Sequence, residues 1–198
     1  MGLLLCATNE FYVLTGTIVC FSGKIGSGKS SVSRAVAEQL GFQRASFGDY
    51  VRKLLSEAGG NTESRTELQD LGQSLVQNDL RGFCQGLLTN VGYKPGTSLV
   101  IDGIRHVDIL DELTSIFGSK KVTLIHLEIG EDLRKLRVEL RGDDPSEFGA
   151  AFIHPVERDT LSALPKRAST IIDAGDDLVA VVQNCCSYLN LGGIGDKK

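Results

Sequence analysis

The sequence lacks the features that would send a chain into a membrane, a metal cluster or a nucleic-acid groove. No stretch approaches the roughly 20 consecutive apolar residues of a membrane span. The opening Met1–Ala7 has no basic start, and its short apolar run stops at Thr8-Asn9-Glu10, so it does not read as a secretion signal. Cys6, Cys20, Cys84, Cys185 and Cys186 form an odd set without C-x-x-C or Cys/His ligand spacing, which fits reduced thiols. His106, His126 and His154 also lack metal spacing. There is no basic excess: 21 Lys and Arg stand against 25 Asp and Glu, for a formal charge of −4. That balance argues against a general nucleic-acid binder and leaves room for a local cationic pocket. The expectation is a soluble, cytoplasmic protein with no membrane or nucleic-acid partner. The oligomeric state is not legible.

What is present suits an ordinary globular domain. The chain has 198 residues, 41% hydrophobic and 23% charged, enough for one domain with an ample core. Short apolar runs alternate with helical patterns. Thr17–Phe21, Phe42–Phe47, Leu99–Asp102, Val122–Leu127 and Thr170–Ile172 read as strands. Between them the spacing predicts helices over 30–40, over about 49–58, and over about 63–90 with Thr62 as N-cap. Further helices are predicted over 107–117, 131–141, in a short piece broken by Pro165, and over 176–189. Residues 142–155 are polar and irregular, and no internal repeat is visible. This alternation predicts an α/β fold with a doubly wound, five-stranded parallel sheet and a site at the strand C-terminal ends.

The chemistry concentrates in Gly23-Lys24-Ile25-Gly26-Ser27-Gly28-Lys29-Ser30, followed by Ser31. The stretch matches G-x-x-x-x-G-K-[ST] and stands between an expected strand and an expected helix, the context that the motif requires. In that geometry backbone N–H groups converge on phosphate oxygens at a helix N-terminus. Lys29 then reaches the outer phosphates of ATP, and the Ser30 hydroxyl sits on Mg²⁺. Asp102 ends an apolar strand, where a carboxylate can hold the same metal. Arginines follow the strand ends: Arg52 in Gly48-Asp49-Tyr50-Val51-Arg52, Arg105 in Asp102-Gly103-Ile104-Arg105, and Arg158 after the polar loop. Arg134, Arg137 and Arg141 recur at helical spacing on one face. Guanidinium groups suit the screening of charge on two phosphates.

These elements resemble the nucleoside monophosphate kinases of the adenylate-kinase-like group of P-loop proteins, over roughly residues 16–189. Gly48–Arg52 is similar to the T-G-D-x-x-R element that grips the acceptor monophosphate. Asp102–Arg105 resembles D-G-F-P-R, and is closer to the D-G-I-R of archaeal-type and deoxynucleotide kinases. Arg65–Gly72 resembles an R-x-x-L-Q-x-L-G stretch of phage-type deoxynucleoside monophosphate kinases. The resemblance implies a three-layer α/β/α P-loop domain covering the chain. It adds a helical acceptor-binding region over about 48–95 and a short lid over about 142–155. It implies ATP and Mg²⁺ as cofactors, Lys29, Arg137 and Arg141 as catalytic groups, and Asp49, Arg52, Arg105 and Arg158 at the acceptor. Two departures stand out: Lys24-Ile25 replaces the usual Pro-Gly of adenylate kinases, and Ile171–Gly175 replaces an I-D-N-type ending. The acceptor is therefore open between a (deoxy)nucleoside monophosphate and dephospho-CoA or another small metabolite. A regulatory nucleotide-binding module with slow turnover is a further alternative.

Overall fold

The computed structural model describes residues 16–140 and 158–190. Its central strand, β1 (Ile18–Gly23), is buried at all six positions. Runs without polar alternation become strands covered on both faces, and β3 (Leu99–Asp102) is likewise buried throughout. With β2 (Gln43–Ser46), β4 (Val122–Glu128) and β5 (Thr170–Asp173) these form one parallel sheet in the order β2-β3-β1-β4-β5.

Eight helices accompany the sheet among the described residues: α1 (Lys29–Leu40), α2 (Phe47–Glu57), α3 (Arg65–Asn90), α4 (Val107–Phe117), α5 (Glu131–Glu139), α6 (Arg158–Ser162), α7 (Leu164–Arg167) and α8 (Leu178–Asn190). Strand side chains alternate between faces, so the core is double. Ile18, Cys20, Leu99 and Ile101 pack against Val51, Phe83 and Leu113 of α2, α3 and α4. Val19, Phe21 and Val100 pack against Val32 of α1 and Val182 and Cys185 of α8. The expected three-layer, doubly wound fold is the one observed.

Three local differences have physical causes. The cap of α3 is Ser64, whose Oγ accepts from Glu67 N at 3.3 Å. Thr62 lies upstream and lines a cavity instead. The single helix expected over 63–90 is broken at Asp79 (φ −154°, ψ 69°), where the Asp79 carboxylate accepts from Gly82 N at 2.9 Å and caps the second half. A Cβ on Gly82 would lie 1.9 Å from that carboxylate, so the turn needs glycine there. Pro165 does not break a helix but opens one: it sits in the first turn of α7, where a missing N–H costs no helical bond. Arg141, the expected lid over 142–155 and the Arg158 side chain lie outside the described residues.

Candidate functional site

β1 runs directly into the glycine loop, and the loop is wrapped tightly against β4 and α5. Gly23 has φ 146°, and a Cβ on it would meet Leu127 O at 2.5 Å. Gly26 has φ 87°, and its Cβ would meet Val138 Cγ2 at 2.9 Å and Arg134 Cγ at 3.1 Å. Gly28 (φ 85°) caps α1 without a side chain, and no acidic residue stands in the first turn of that helix. The N–H groups and positive dipole end of α1 are thus left for an external anion. Lys29 is buried and folds back over the loop, its Nζ donating to Lys24 O at 2.8 Å. Ser30 and Ser31 are exposed at the start of the helix.

The loop is supported from below by two polar pairs. Arg134, only 2% exposed, donates to Ile25 O at 3.3 Å and pairs with Glu131. It belongs to the scaffold. Ser22 Oγ and His126 Nδ1 lie 2.9 Å apart, also buried. Burial first, then Lys29 and Lys24, push the imidazole down to about 4, so His126 is neutral near pH 7.

The strand register brings Phe21 and Ser46 beside Asp102 at the C-terminal edge of the sheet. Asp102 is 2% exposed. Its Oδ2 accepts from Arg44 Nη2 at 2.7 Å, while its Oδ1 is buried without a hydrogen-bond partner. Arg44 escaped the sequence reading. It projects from β2 and also donates to Ser33 Oγ at 3.2 Å and Asp49 Oδ2 at 3.3 Å.

On the β3 side of the loop lies a cavity of about 310 Å³. Its apolar walls include Phe47, Val51, Leu68, Phe83 and Ile109, and its cations are Arg52, Arg65 and Arg105. Desolvation pushes the Arg105 guanidinium down to about 10, with Asp102 opposing and Arg65 reinforcing the shift; it stays cationic at neutral pH. The loop carrying Arg105 is tied to α6: Asp159 Oδ2 accepts from Val107 N at 3.0 Å, and Thr160 Oγ1 donates to Arg105 O at 3.5 Å. Asp49 does not line the cavity. Its side chain is exposed and pairs with Arg52 at 3.6 Å.

Arg137 lies elsewhere, on the β4–β5 side. Its guanidinium donates to Ala174 O at 2.8 Å and Asp176 O at 3.2 Å. With Ser27, Gly28, Ser31 and Leu178 it borders a second cavity of about 250 Å³ beside the start of α1. The loop therefore separates two recesses.

Fold and loop together define a P-loop domain of three layers, with the helical segment between β2 and β3 forming one wall of a cavity. The family model of the AAA domain matches residues 19–151. A UPF0200 protein of Pyrobaculum aerophilum is 31% identical over 78% of this chain and 86% of its own length. An adenylate kinase of Thermus thermophilus is 27% identical over 67% of this chain and 73% of its own. Among solved structures, a gluconokinase from Sinorhizobium meliloti superposes with a TM-score of 0.57 at 18% identity, covering 90% of this chain and 91% of that one. Shikimate kinase from Aquifex aeolicus gives 0.51 at 14% identity, over 91% and 100%. The chain belongs to the AAA domain family of P-loop proteins, together with the UPF0200 proteins that it resembles in sequence.

Proposed function

We propose that the protein is a phosphotransferase that moves the γ-phosphoryl group of ATP to a small phosphorylated acceptor, most directly a (deoxy)nucleoside monophosphate. One observation carries the reading. Directly beside the glycine loop and Asp102 lies an apolar cavity with three arginines, Arg52, Arg65 and Arg105. A switch or a simple nucleotide binder has no use for that second cationic recess. A transferase needs one, because the acceptor brings its own anion. A flat apolar body with one phosphate end matches walls of Phe47 and Phe83 and a cationic margin. The adenylate kinase relative acts in the same direction as support.

The residues fit a divalent cation. A buried carboxylate oxygen without a partner, Asp102 Oδ1, is the kind of group that a hydrated ion satisfies, and Ser30 supplies an exposed hydroxyl at the start of α1. Mg²⁺ there would bridge phosphate oxygens and neutralise developing charge. The protein's own part is positioning and electrostatics. The loop N–H groups and Lys29 hold the donor phosphates; Lys29 must first leave Lys24 O. Arg105 and Arg52 orient the acceptor phosphate toward the loop. Arg137 steadies the donor side from the recess beside Gly28, and Arg141 and Arg158 would act with the lid in excluding water.

Lys29→Ala is expected to abolish transfer while leaving the melting temperature nearly unchanged. Coupled detection of ADP release across nucleoside monophosphates, their deoxy forms and dephospho-CoA tests the acceptor. ADP release that no acceptor stimulates would retire the transferase reading in favour of a binding module.

A further inference from the structure

We infer that Arg44 is a positioning residue for the metal-binding carboxylate: it holds Asp102 by one oxygen so that the other stays turned to the site. The inference rests on the proposed metal site at Asp102 and Ser30.

The argument starts from the cost of a buried charge. Asp102 is 2% exposed, and an isolated buried carboxylate is strongly disfavoured unless it is paired and hydrogen-bonded. Arg44 supplies both, through a contact of 2.7 Å to Oδ2 alone. It does not straddle the carboxylate. Its fork is spread over three acceptors on three elements: Ser33 Oγ on α1, Asp49 Oδ2 on α2, and Asp102 Oδ2 on β3. A planar guanidinium held at three points cannot rotate to take Oδ1 as well. The result is a carboxylate with one oxygen spoken for and one buried oxygen without a partner. Satisfying the second oxygen falls to whatever enters the site.

The ends of the fork differ in weight. Asp49 has a side-chain exposure of 64%, so its pair with Arg44 is a surface contact of small value. Asp102 is 3% exposed on the same scale, and the pair there dominates. Arg44 therefore acts on the metal side more than on the acceptor side, although α2 leads to both. Partners that orient a ligating carboxylate from the second layer typically change metal affinity about 10- to 100-fold when removed.

The test reads metal rather than turnover. A fluorescent, non-hydrolysable ATP analogue is titrated into the full chain at increasing Mn²⁺, and the Mn²⁺ concentration giving half of the tightening is recorded. In Arg44→Gln this half-point is expected to rise about 10- to 100-fold, with nucleotide affinity in the absence of metal changed less than about twofold. Arg44→Lys keeps the charge without the fork and is expected to fall between. A thermal melt of each variant establishes folding; if Arg44→Gln does not fold, Arg44→Lys carries the test. An unchanged half-point in the folded variants overturns the positioning role. A lowered half-point also overturns it, because Arg44 would then be competing with the metal. A native chain whose nucleotide affinity ignores Mn²⁺ removes the metal site itself, and the inference with it.

Discussion

His126 offers a prediction whose sign and size both follow from the structure. Its imidazole is 3% exposed, faces Ser22 Oγ, and lies in the field of Lys29 and Lys24. All three circumstances favour the neutral ring, and the folded value is about 4 against an ordinary 6.5. Between those values the unfolded chain binds the extra proton and the folded chain does not, so stability rises with pH. The contribution is complete above pH 6.5 and is lost as pH falls toward 4. A difference of 2.5 units at about 1.4 kcal/mol each gives a total of about 3 kcal/mol. About 2 kcal/mol of it should be gone by pH 5. The assay is urea unfolding of the native chain and of His126→Asn at pH 7.5, 6.5, 5.5 and 5. Asn keeps a polar group at the Nδ1 position and does not titrate. Carboxylates titrate in both proteins and cancel in the difference. The native protein should be the more stable at pH 7.5, and its advantage should shrink by about 2 kcal/mol at pH 5. A difference that stays constant to within about 0.5 kcal/mol across that range would refute the reasoning, since the imidazole would then not titrate between its folded and unfolded values.

Arg105→Ala is expected to raise the acceptor KM about 10- to 100-fold, the loss of hydrogen bonds to a charged group, with the affinity for the ATP analogue unchanged. Equal loss on both substrates would contradict its placement in the acceptor cavity. Asp79→Ala should lower stability by about 1 kcal/mol in urea unfolding, as the loss of a helix cap does. The same variant should reverse the effect of Gly82→Ala. In the native background that Cβ collides with the Asp79 carboxylate and destabilises; with alanine at 79 it should gain a few tenths of a kcal/mol or more from helix propensity. No reversal of sign would mean that the clash is not what keeps glycine at 82.

Sequence patterns exposed what depends on local spacing. The glycine loop is legible because its mechanism demands consecutive residues between strand and helix, and Asp102 because it ends an apolar run. Arg52 and Arg105 were legible as arginines after strand ends, and both line the cavity. Arg44 was not. It is one polar residue in a four-residue edge strand, and its partner Asp102 is 58 positions away. Nothing in the spacing tells that β2 lies beside β3, and that adjacency makes the pair. The break at Asp79 was hidden for the opposite reason. Leu75, Leu80, Phe83 and Leu87 keep an apolar rhythm through it, so only the side-chain cap onto Gly82 reveals the turn. Arg137 was grouped with Arg134 by helical spacing alone. The neighbours of α5 separate them: Arg134 is drawn under the loop to Ile25 O and Arg137 out to Ala174 O.

The sheet order explains why these arginines divide as they do. β1 is flanked by β3 on one side and β4 on the other, so the glycine loop leaves the sheet at the point where successive crossovers go opposite ways. Everything reached through β3 and β2 gathers on one side: Asp102, Arg44, Arg105, and the α2–α3 wall carrying Arg52 and Arg65. Everything reached through β4 and β5 gathers on the other: His126, α5 with Arg137, and the turn from Ala174 to Asp176. An anion on the start of α1 then lies between two recesses that share no lining residue among those described. For a transfer reaction that separation is useful. The two substrates can be bound by independent sets of side chains and still meet at one place, the loop itself, where Lys29 and Asp102 are.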